Sequence, residues 1–303
     1  MDNIKIVKIS EINQEKLISF YEETFDEISS SEKDYKWKYR FDDGKCEPLI
    51  AIKNSKIIGH VGCYPAKFKL NNVNHNGVWW SDVFVKKDYR GKGVAQLISK
   101  NLMDLGNFHA ATCNEKSFKL LKKNGWSEAP AHYRLIKFVP LANFISFKTK
   151  DKFKETDLNE KNLLELVGLV EKVNNLKENC FVRDEKWFEW RFLKYPNKHK
   201  LVLLKYETNF IIGLQTKWKK LKVFKILFTN KNLDKNLNNM LSLWCKNNKF
   251  TFFSIVEKRT AEKKFYLSGK KIKYLTFSNL KEFDINFTKS FDEMQFADSD
   301  MGF

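Results

Sequence analysis

Residues Asp82 to Ala95, DVFVKKDYRGKGVA, join an apolar strand to a glycine-spaced basic loop and then to a helix. This junction limits what the chain can fold into. Backbone N–H groups that converge on one point, with a helix N-terminus behind them, form a pyrophosphate site. Gly91 and Gly93 permit the tight path, and Arg90 and Lys92 add charge for phosphate oxygens. The spacing is wrong for a Walker loop, which needs G-x-x-x-x-G-K-[ST], and for a dinucleotide fold, which needs G-x-G-x-x-G after a parallel strand.

The residues before the loop predict an antiparallel meander. Leu17, Ile18, Tyr21 and Phe25 recur at helical spacing and stop before Ser29 to Ser31, and a short helix follows around Tyr35 to Tyr39. Leu49 to Ile52 and the run from Lys56 form a hairpin across Asn54-Ser55. Asn76-Gly77 predicts the next turn, and Val78 to Val85 the third strand. Beyond the loop, Val94, Leu97, Ile98, Leu102 and Leu105 mark a helix that Gly106 ends. Phe108 to Cys113 is the next strand, Ser117 to Leu121 a helix closing at Asn124-Gly125, and Tyr133 to Val139 a last strand.

A chain of 303 residues has room for two domains with cores of their own. The boundary falls at Pro140 and the Lys- and Asp-rich residues 146–160, giving domains over residues 1–145 and 161–303. The second opens with a helix at Leu163 to Val173. The halves share a pattern: Trp37-Lys-Tyr-Arg precedes a hairpin carrying Ile57-Ile58-Gly59, and Trp190-Arg-Phe precedes one carrying Ile211-Ile212-Gly213. This reads as a duplication. The second copy departs at its loop, where LKVFKILFTN runs into KNLDKNLNNML without a glycine. A close backbone wrap around pyrophosphate is not available there.

The net charge of +18 invites a nucleic-acid or acidic-membrane reading, yet the lysines are scattered rather than gathered into one tract, and Lys, Asn, Phe and Ile are abundant throughout, as in proteins of AT-rich genomes. Five separated cysteines without a C-x-x-C pair point to reduced thiols in a cytoplasmic protein, with no metal site expected. Every apolar run is interrupted well short of the ~20 residues a membrane span needs.

The stretch VFVKKDYRGKGVAQL, followed by Asn114, Ser117 and Asn124-Gly125-Trp126, resembles the GNAT (GCN5-related) superfamily of N-acyltransferases over roughly Ile4 to Val139. The resemblance implies an α+β fold of two GNAT-like domains, each a mixed, mostly antiparallel sheet flanked by helices, the second lacking the pyrophosphate loop. It also implies acetyl-CoA as co-substrate. The backbone of Val83, Phe84 and Val85 would bind the pantetheine arm and polarise the thioester carbonyl. Arg90, Gly91, Lys92, Gly93, Val94 and Ala95 would hold the pyrophosphate, and Asn114 and Phe118 would contact the cofactor where two strands splay. Many family members carry a tyrosine that protonates the leaving thiolate where this chain has Leu121.

The implied reaction needs a neutral amine, so a base is sought near the end of the cofactor strand. Asp82 is the first candidate, with a positioning role as its alternative; His60 and Tyr64 follow, and His109 and Cys113 are weaker. Trp80 and Ser81 in the first half, and Trp190 and Arg191 in the second, are candidate acceptor contacts, with packing the competing role for the aromatic residues. Trp79 and Trp80 point to opposite faces, so one alone can reach a cleft. The leading reading is an N-acetyltransferase for a small amine, an amino sugar or nucleotide-linked amino sugar of bacterial surface-polysaccharide synthesis, with no nucleic-acid partner. A Fem-type transferase using aminoacyl-tRNA and a non-catalytic acyl-CoA sensor are the alternatives. The intact loop disfavours the first of these, and Leu121 permits the second.

Overall fold

Strand β1 (Lys5–Lys8) leads into helices α1 (Gln14–Thr24) and α2 (Glu32–Tyr39), and then into the meander β2 (Leu49–Lys53), β3 (Lys56–Leu70) and β4 (Val73–Val85). Helix α3 (Val94–Met103), strand β5 (Phe108–Cys113), helix α4 (Glu115–Lys123) and strand β6 (Ser127–Glu128) follow. The chain continues through β7 (His132–Phe138), β8 (Lys154–Thr156), α5 (Glu160–Asn175), β9 (Cys180–Phe181) and α6 (Glu185–Phe188), with one π-turn at Glu189–Leu193. A second meander, β10 (Leu201–Tyr206), β11 (Asn209–Trp218) and β12 (Leu221–Thr229), precedes α7 (Lys235–Asn247), β13 (Phe252–Lys258) and β14 (Ser268–Ser278). The computed structural model describes residues 3–24, 32–39, 46–129, 132–139, 151–258 and 268–278. The Ser29 to Ser31 helix stop and residues 146–150 of the expected linker lie outside these.

The hairpin turn at Asn54-Ser55 forms as expected, with both residues at positive φ, where asparagine is tolerated best after glycine. The next turn does not fall at Asn76-Gly77. It lies at Asn71-Asn72, again at positive φ, and Gly77 sits inside β4. A Cβ at Gly77 would collide with the Phe68 ring and the Phe108 carbonyl, so this glycine permits close packing rather than a turn.

The chain divides into two compact units, and the division does not follow the halves of the sequence. The first takes residues up to Ala129, Asn179–Val182 and β14 from Lys273; the second takes Pro130–Glu178 and Arg183–Ile272. Strand β7, the expected last strand of the first domain, therefore belongs to the second unit, where it pairs with β13. In its place, Lys273–Ser278 of β14 pairs antiparallel with Cys113–Phe108 of β5 in the first unit. Residues 154–156 of the expected linker are strand β8, paired with β10. The hydrophobic pattern marks β7 as a strand but carries no information on which sheet it joins, and it gives no strand at β8 or β14.

Each unit has the same succession. A short strand pairs antiparallel with the first strand of a three-stranded meander, a helix follows the third strand, and the next strand returns parallel to it. In the first unit, α3 and α4 cover one sheet face through Val94, Ile98, Leu102 and Leu121, joined by Trp126 just after α4. Helices α1 and α2 cover the other through Leu17, Phe20, Tyr21 and Tyr39. In the second, Leu237, Met240, Leu241 and Cys245 of α7 pack on Phe224, Ile226 and Phe253.

The second unit also buries a charge. Lys137 on β7 donates from Nζ to Asn238 Oδ1 at 2.9 Å, and burial pulls its ammonium down to about 8, opposed by the facing Cys245 thiol. The unfolded chain therefore holds this proton between about pH 8 and pH 10.5 while the folded chain releases it, so stability rises with pH across that window. Thermal melts should show a rise of several degrees from pH 8 to pH 10 that Lys137→Met removes. An equal rise in both proteins would assign it to other groups.

Candidate active site

Parallel pairing of β4 with β5 is confined to Gly77–Trp80 against Phe108–Ala111. Beyond it, Ser81 to Val85 has strand partners only in β3 among the described residues. The β4–β5 ladder thus stops at Trp80 and Ala111, and the last residues of β4 extend past it.

On the β3 side the ladder is bulged. His60 pairs with Phe84 and Gly62 with Ser81, which leaves one residue of β3 opposite two of β4. The extra residue includes Asp82, at φ 45, an uncommon conformation for a residue other than glycine. Beneath this bulge the side chains form a closed set of hydrogen bonds. His60 Nδ1 meets the Asp82 carbonyl at 2.8 Å and Nε2 meets the Tyr21 hydroxyl at 2.7 Å, so Nδ1 carries the proton and Nε2 accepts. Tyr39 donates its hydroxyl to Asp82 Oδ2, and Lys38 Nζ reaches the same oxygen at 2.5 Å. Burial, and then the Asp82 charge, pushes the Tyr39 phenol well above its usual range. Lys38, Tyr39 and Tyr21 escaped the sequence reading because helical periodicity marks which face is buried and says nothing about which polar tips meet a bulge.

At the far end of β4, Gly91 and Gly93 both adopt φ 74. Gly93 is the N-cap of α3 and offers no side-chain acceptor, and the first turn carries no acid. The leading N–H groups of α3 therefore lack the internal partner that a cap would give them, which is the requirement for holding an external anion. Arg90 donates from Nε to the Val85 carbonyl at 2.9 Å, which anchors the loop to the strand end. Val94 is buried beneath the loop, Ala95 is half-buried, and Lys92 is exposed.

The second unit differs at both points. Its third strand is also bulged, but the residue left over between Ile226 and Phe228 is the buried Leu227. Helix α7 is capped by Asp234, whose carboxylate accepts from Leu237 N at 2.8 Å. A built-in anion occupies the position that α3 leaves open.

Several expected site residues are placed elsewhere or in other roles. His60 is fully buried with both ring nitrogens engaged, and burial lowers its imidazole to about 4. Its imidazole is therefore neutral near pH 7. Tyr64 shares the face of Asp82 but is buried with its ring stacked on Trp79. Trp80 points to the other face, into the core beside Trp126, and donates to His109 Nδ1 at 3.0 Å. It is therefore packing, and the tryptophan on the Asp82 face is Trp79. Ser81 lies on that face next to Tyr39, nearly buried. Trp190 and Arg191 belong to the second unit, buried, with the guanidinium 3.9 Å from the Trp190 ring centroid.

Asn114 caps α4, accepting from Lys116 N and Ser117 N at 3.0 Å each. Phe118 is half-buried beneath the Lys273 ammonium, 4.6 Å from its ring centroid. Cys113 closes β5, and burial pushes its thiol up to about 12, so it is not a nucleophile near neutral pH. Leu121 is buried in the core beneath α4.

An uncapped glycine loop, a bulged strand and the end of the β4–β5 pairing thus lie together along β4. Residues 11–126 match the model of the Acetyltransferase (GNAT) family. None of the curated proteins matches the sequence. Among solved structures, a probable N-acyltransferase of unknown function from Enterococcus faecalis V583 shares the fold with a TM-score of 0.66 and 10% identity, over 91% of this chain and 73% of that one. A GCN5-related N-acetyltransferase from Kribbella flavida gives 0.65 and 12%, over 90% and 70%. Saccharomyces cerevisiae N-myristoyltransferase with bound myristoyl-CoA gives 0.58 and 11%, over 91% and 83%.

Proposed function

We propose that the protein is an acetyl-CoA-dependent N-acetyltransferase with a single donor site, in the first unit, acting on a small amine. The observation that carries this reading is the contrast between α3, whose N-terminus is open behind two left-handed glycines, and α7, whose N-terminus is closed by Asp234. The preferred acceptor is an amino sugar or nucleotide-linked amino sugar, a choice that rests on analogy of domain organisation. Bound acetyl-CoA would lay its pyrophosphate on Gly91 to Ala95 and its pantetheine amides along Val83 to Val85.

In this reading the acceptor's neutral nitrogen attacks the thioester carbonyl carbon; the C–N bond forms, the C–S bond breaks, and the sulfur leaves as thiolate. Asp82 receives the proton or orients the ammonium. Its Oδ2 is taken by Lys38 and Tyr39, so in this reading Oδ1 would be the oxygen that meets the amine. His60 supports the step indirectly by holding the carbonyl of the bulge. With Leu121 in place of a phenol, the thiolate takes its proton from water. CoA is a good enough leaving group for this, since thiols ionise near pH 8.5.

A thiol-release assay with acetyl-CoA against amino sugars, nucleotide-linked amino sugars, polyamines and amino acids tests the proposal, with myristoyl-CoA as the long-chain control. Release with at least one amine is expected. Asp82→Asn should lower kcat about a hundredfold while CoA affinity stays within about twofold. Tight acetyl-CoA binding without release on any amine would replace the enzyme by an acyl-CoA sensor. Salt-sensitive tRNA binding without CoA binding would favour the Fem-type reading.

A further inference from the structure

One end of the second unit is basic and carries exposed apolar side chains. Strand registers bring together there the end of β11, the starts of β12 and β13 and the end of β7, through Trp218↔Leu221, Val223↔Phe252 and Phe252↔Phe138. The C-terminus of α7 lies at the same end, because it runs directly into β13 and Thr251 N donates to the Lys222 carbonyl at 2.9 Å. Lys217, Lys219, Lys220 and Lys222 on the hairpin, Lys246 in the last turn of α7 and Lys249 just after it are all exposed. From Trp190 to Val256 the acidic residues are Glu207 and Asp234 alone. Both sit at the opposite end of the strands, in the β10–β11 turn and at the N-cap of α7. The hairpin end thus carries lysines and none of the acidic residues of this stretch, which a composition count does not reveal.

At the hairpin tip, Trp218 is 58% and Leu221 37% exposed. They pair directly across the two strands and so share a face. The Trp218 ring stands edge-on to Phe252, with centroids 6.1 Å apart, and Phe252 stacks on Phe138 at 6.3 Å. The indole is therefore held on one side by Phe252, has the Lys219 ammonium 5.4 Å from its ring centroid, and is otherwise largely in water.

We propose that this hairpin end docks the protein on an anionic lipid bilayer. Trp218 and Leu221 enter the headgroup layer, where an amphipathic indole is favoured, and the lysines meet lipid phosphates with their stems along the apolar boundary. A nucleic acid would be attracted by the same charge. It fits less well, because residues 192–256 contain no arginine, the side chain suited to bidentate phosphate contacts and base stacking. An exposed leucine beside the indole also adds nothing to phosphate binding, whereas a lipid interface takes up both. The proposal stands on the second unit alone and does not depend on the acyl-transfer reading.

Co-sedimentation with vesicles of phosphatidylglycerol and phosphatidylcholine, against phosphatidylcholine alone, tests it. Binding should be about tenfold stronger or more on the anionic vesicles and should weaken at about 0.5 M salt. The double variant Trp218→Ser with Leu221→Ser should lose about tenfold, and Lys219→Glu with Lys220→Glu at least as much, with thermal melts within a few degrees of wild type. Equal binding to both vesicle types, or full retention by the Trp218 and Leu221 variant, would overturn the proposal. So would salt-sensitive retention of RNA or duplex DNA by a protein that ignores vesicles.

Discussion

Residues 1–145 expressed alone should not fold. The fragment ends before β14, so β5 would lose its antiparallel partner Lys273–Ser278 and become a bare edge inside what should be a sheet interior. It would also lose Tyr274 and Leu275, both buried in the first unit, and the Phe277 ring that stacks on Trp126 at 6.0 Å. Removal of one buried leucine side chain already costs about 2–5 kcal/mol, against a total of about 5–15 kcal/mol for a domain, and here six paired backbone positions go with it. The expected result is a fragment that aggregates or melts without a cooperative transition and does not bind CoA. Adding residues 146–303 in trans should restore both properties in part. A fragment of 1–145 that binds CoA with full-length affinity would show that β14 is dispensable to the first unit.

Replacement of Gly93 by valine should raise the dissociation constant for CoA at least a hundredfold. The residue sits at φ 74 as the N-cap of α3. A β-branched side chain there costs about 1–3 kcal/mol in backbone strain and places methyl groups beside the N–H groups that would meet the pyrophosphate. Calorimetric titration with CoA checks the binding, and the melting temperature should fall by only a few degrees, because the loop is at the surface. Unchanged CoA affinity in a folded Gly93→Val protein would remove the basis for a donor site in the first unit. The same substitution therefore separates a binding defect from a folding defect, which the fragment experiment cannot do.

Much of this site could be read from residue types at fixed spacing. Gly91, Gly93 and the amphipathic run from Val94 specify a local conformation, and local conformation depends on near neighbours in the chain. The duplicated meander was legible for the same reason, since strand, turn and helix recur in one order around Ile57-Ile58-Gly59 and Ile211-Ile212-Gly213. The Asn76-Gly77 turn was misread because a glycine is required equally by a tight turn and by the close approach of a neighbouring ring. Only the position of Phe68 distinguishes the two.

The candidate chemistry of Asp82 was legible only as a residue type. That its oxygen would be taken by Lys38 and Tyr39, that His60 would be sealed neutral beneath Tyr21, and that Trp79 rather than Trp80 would share its face all depend on the bulge in β4. A bulge changes register by one residue, and one residue reverses every side chain beyond it.

By itself, the sequence determined the glycine-spaced loop, the paired meanders and the absence of such a loop from the second copy, because each is written in contiguous residues. Tertiary structure alone decided that β7 serves the second unit and residues 273–278 of β14 the first, and that Lys217, Lys219, Lys220, Lys222, Lys246 and Lys249 gather at one end of a sheet. Strand pairing joins residues by backbone hydrogen bonds that any sequence can make, so partner choice depends on the packing of the whole unit rather than on a signal within the strand.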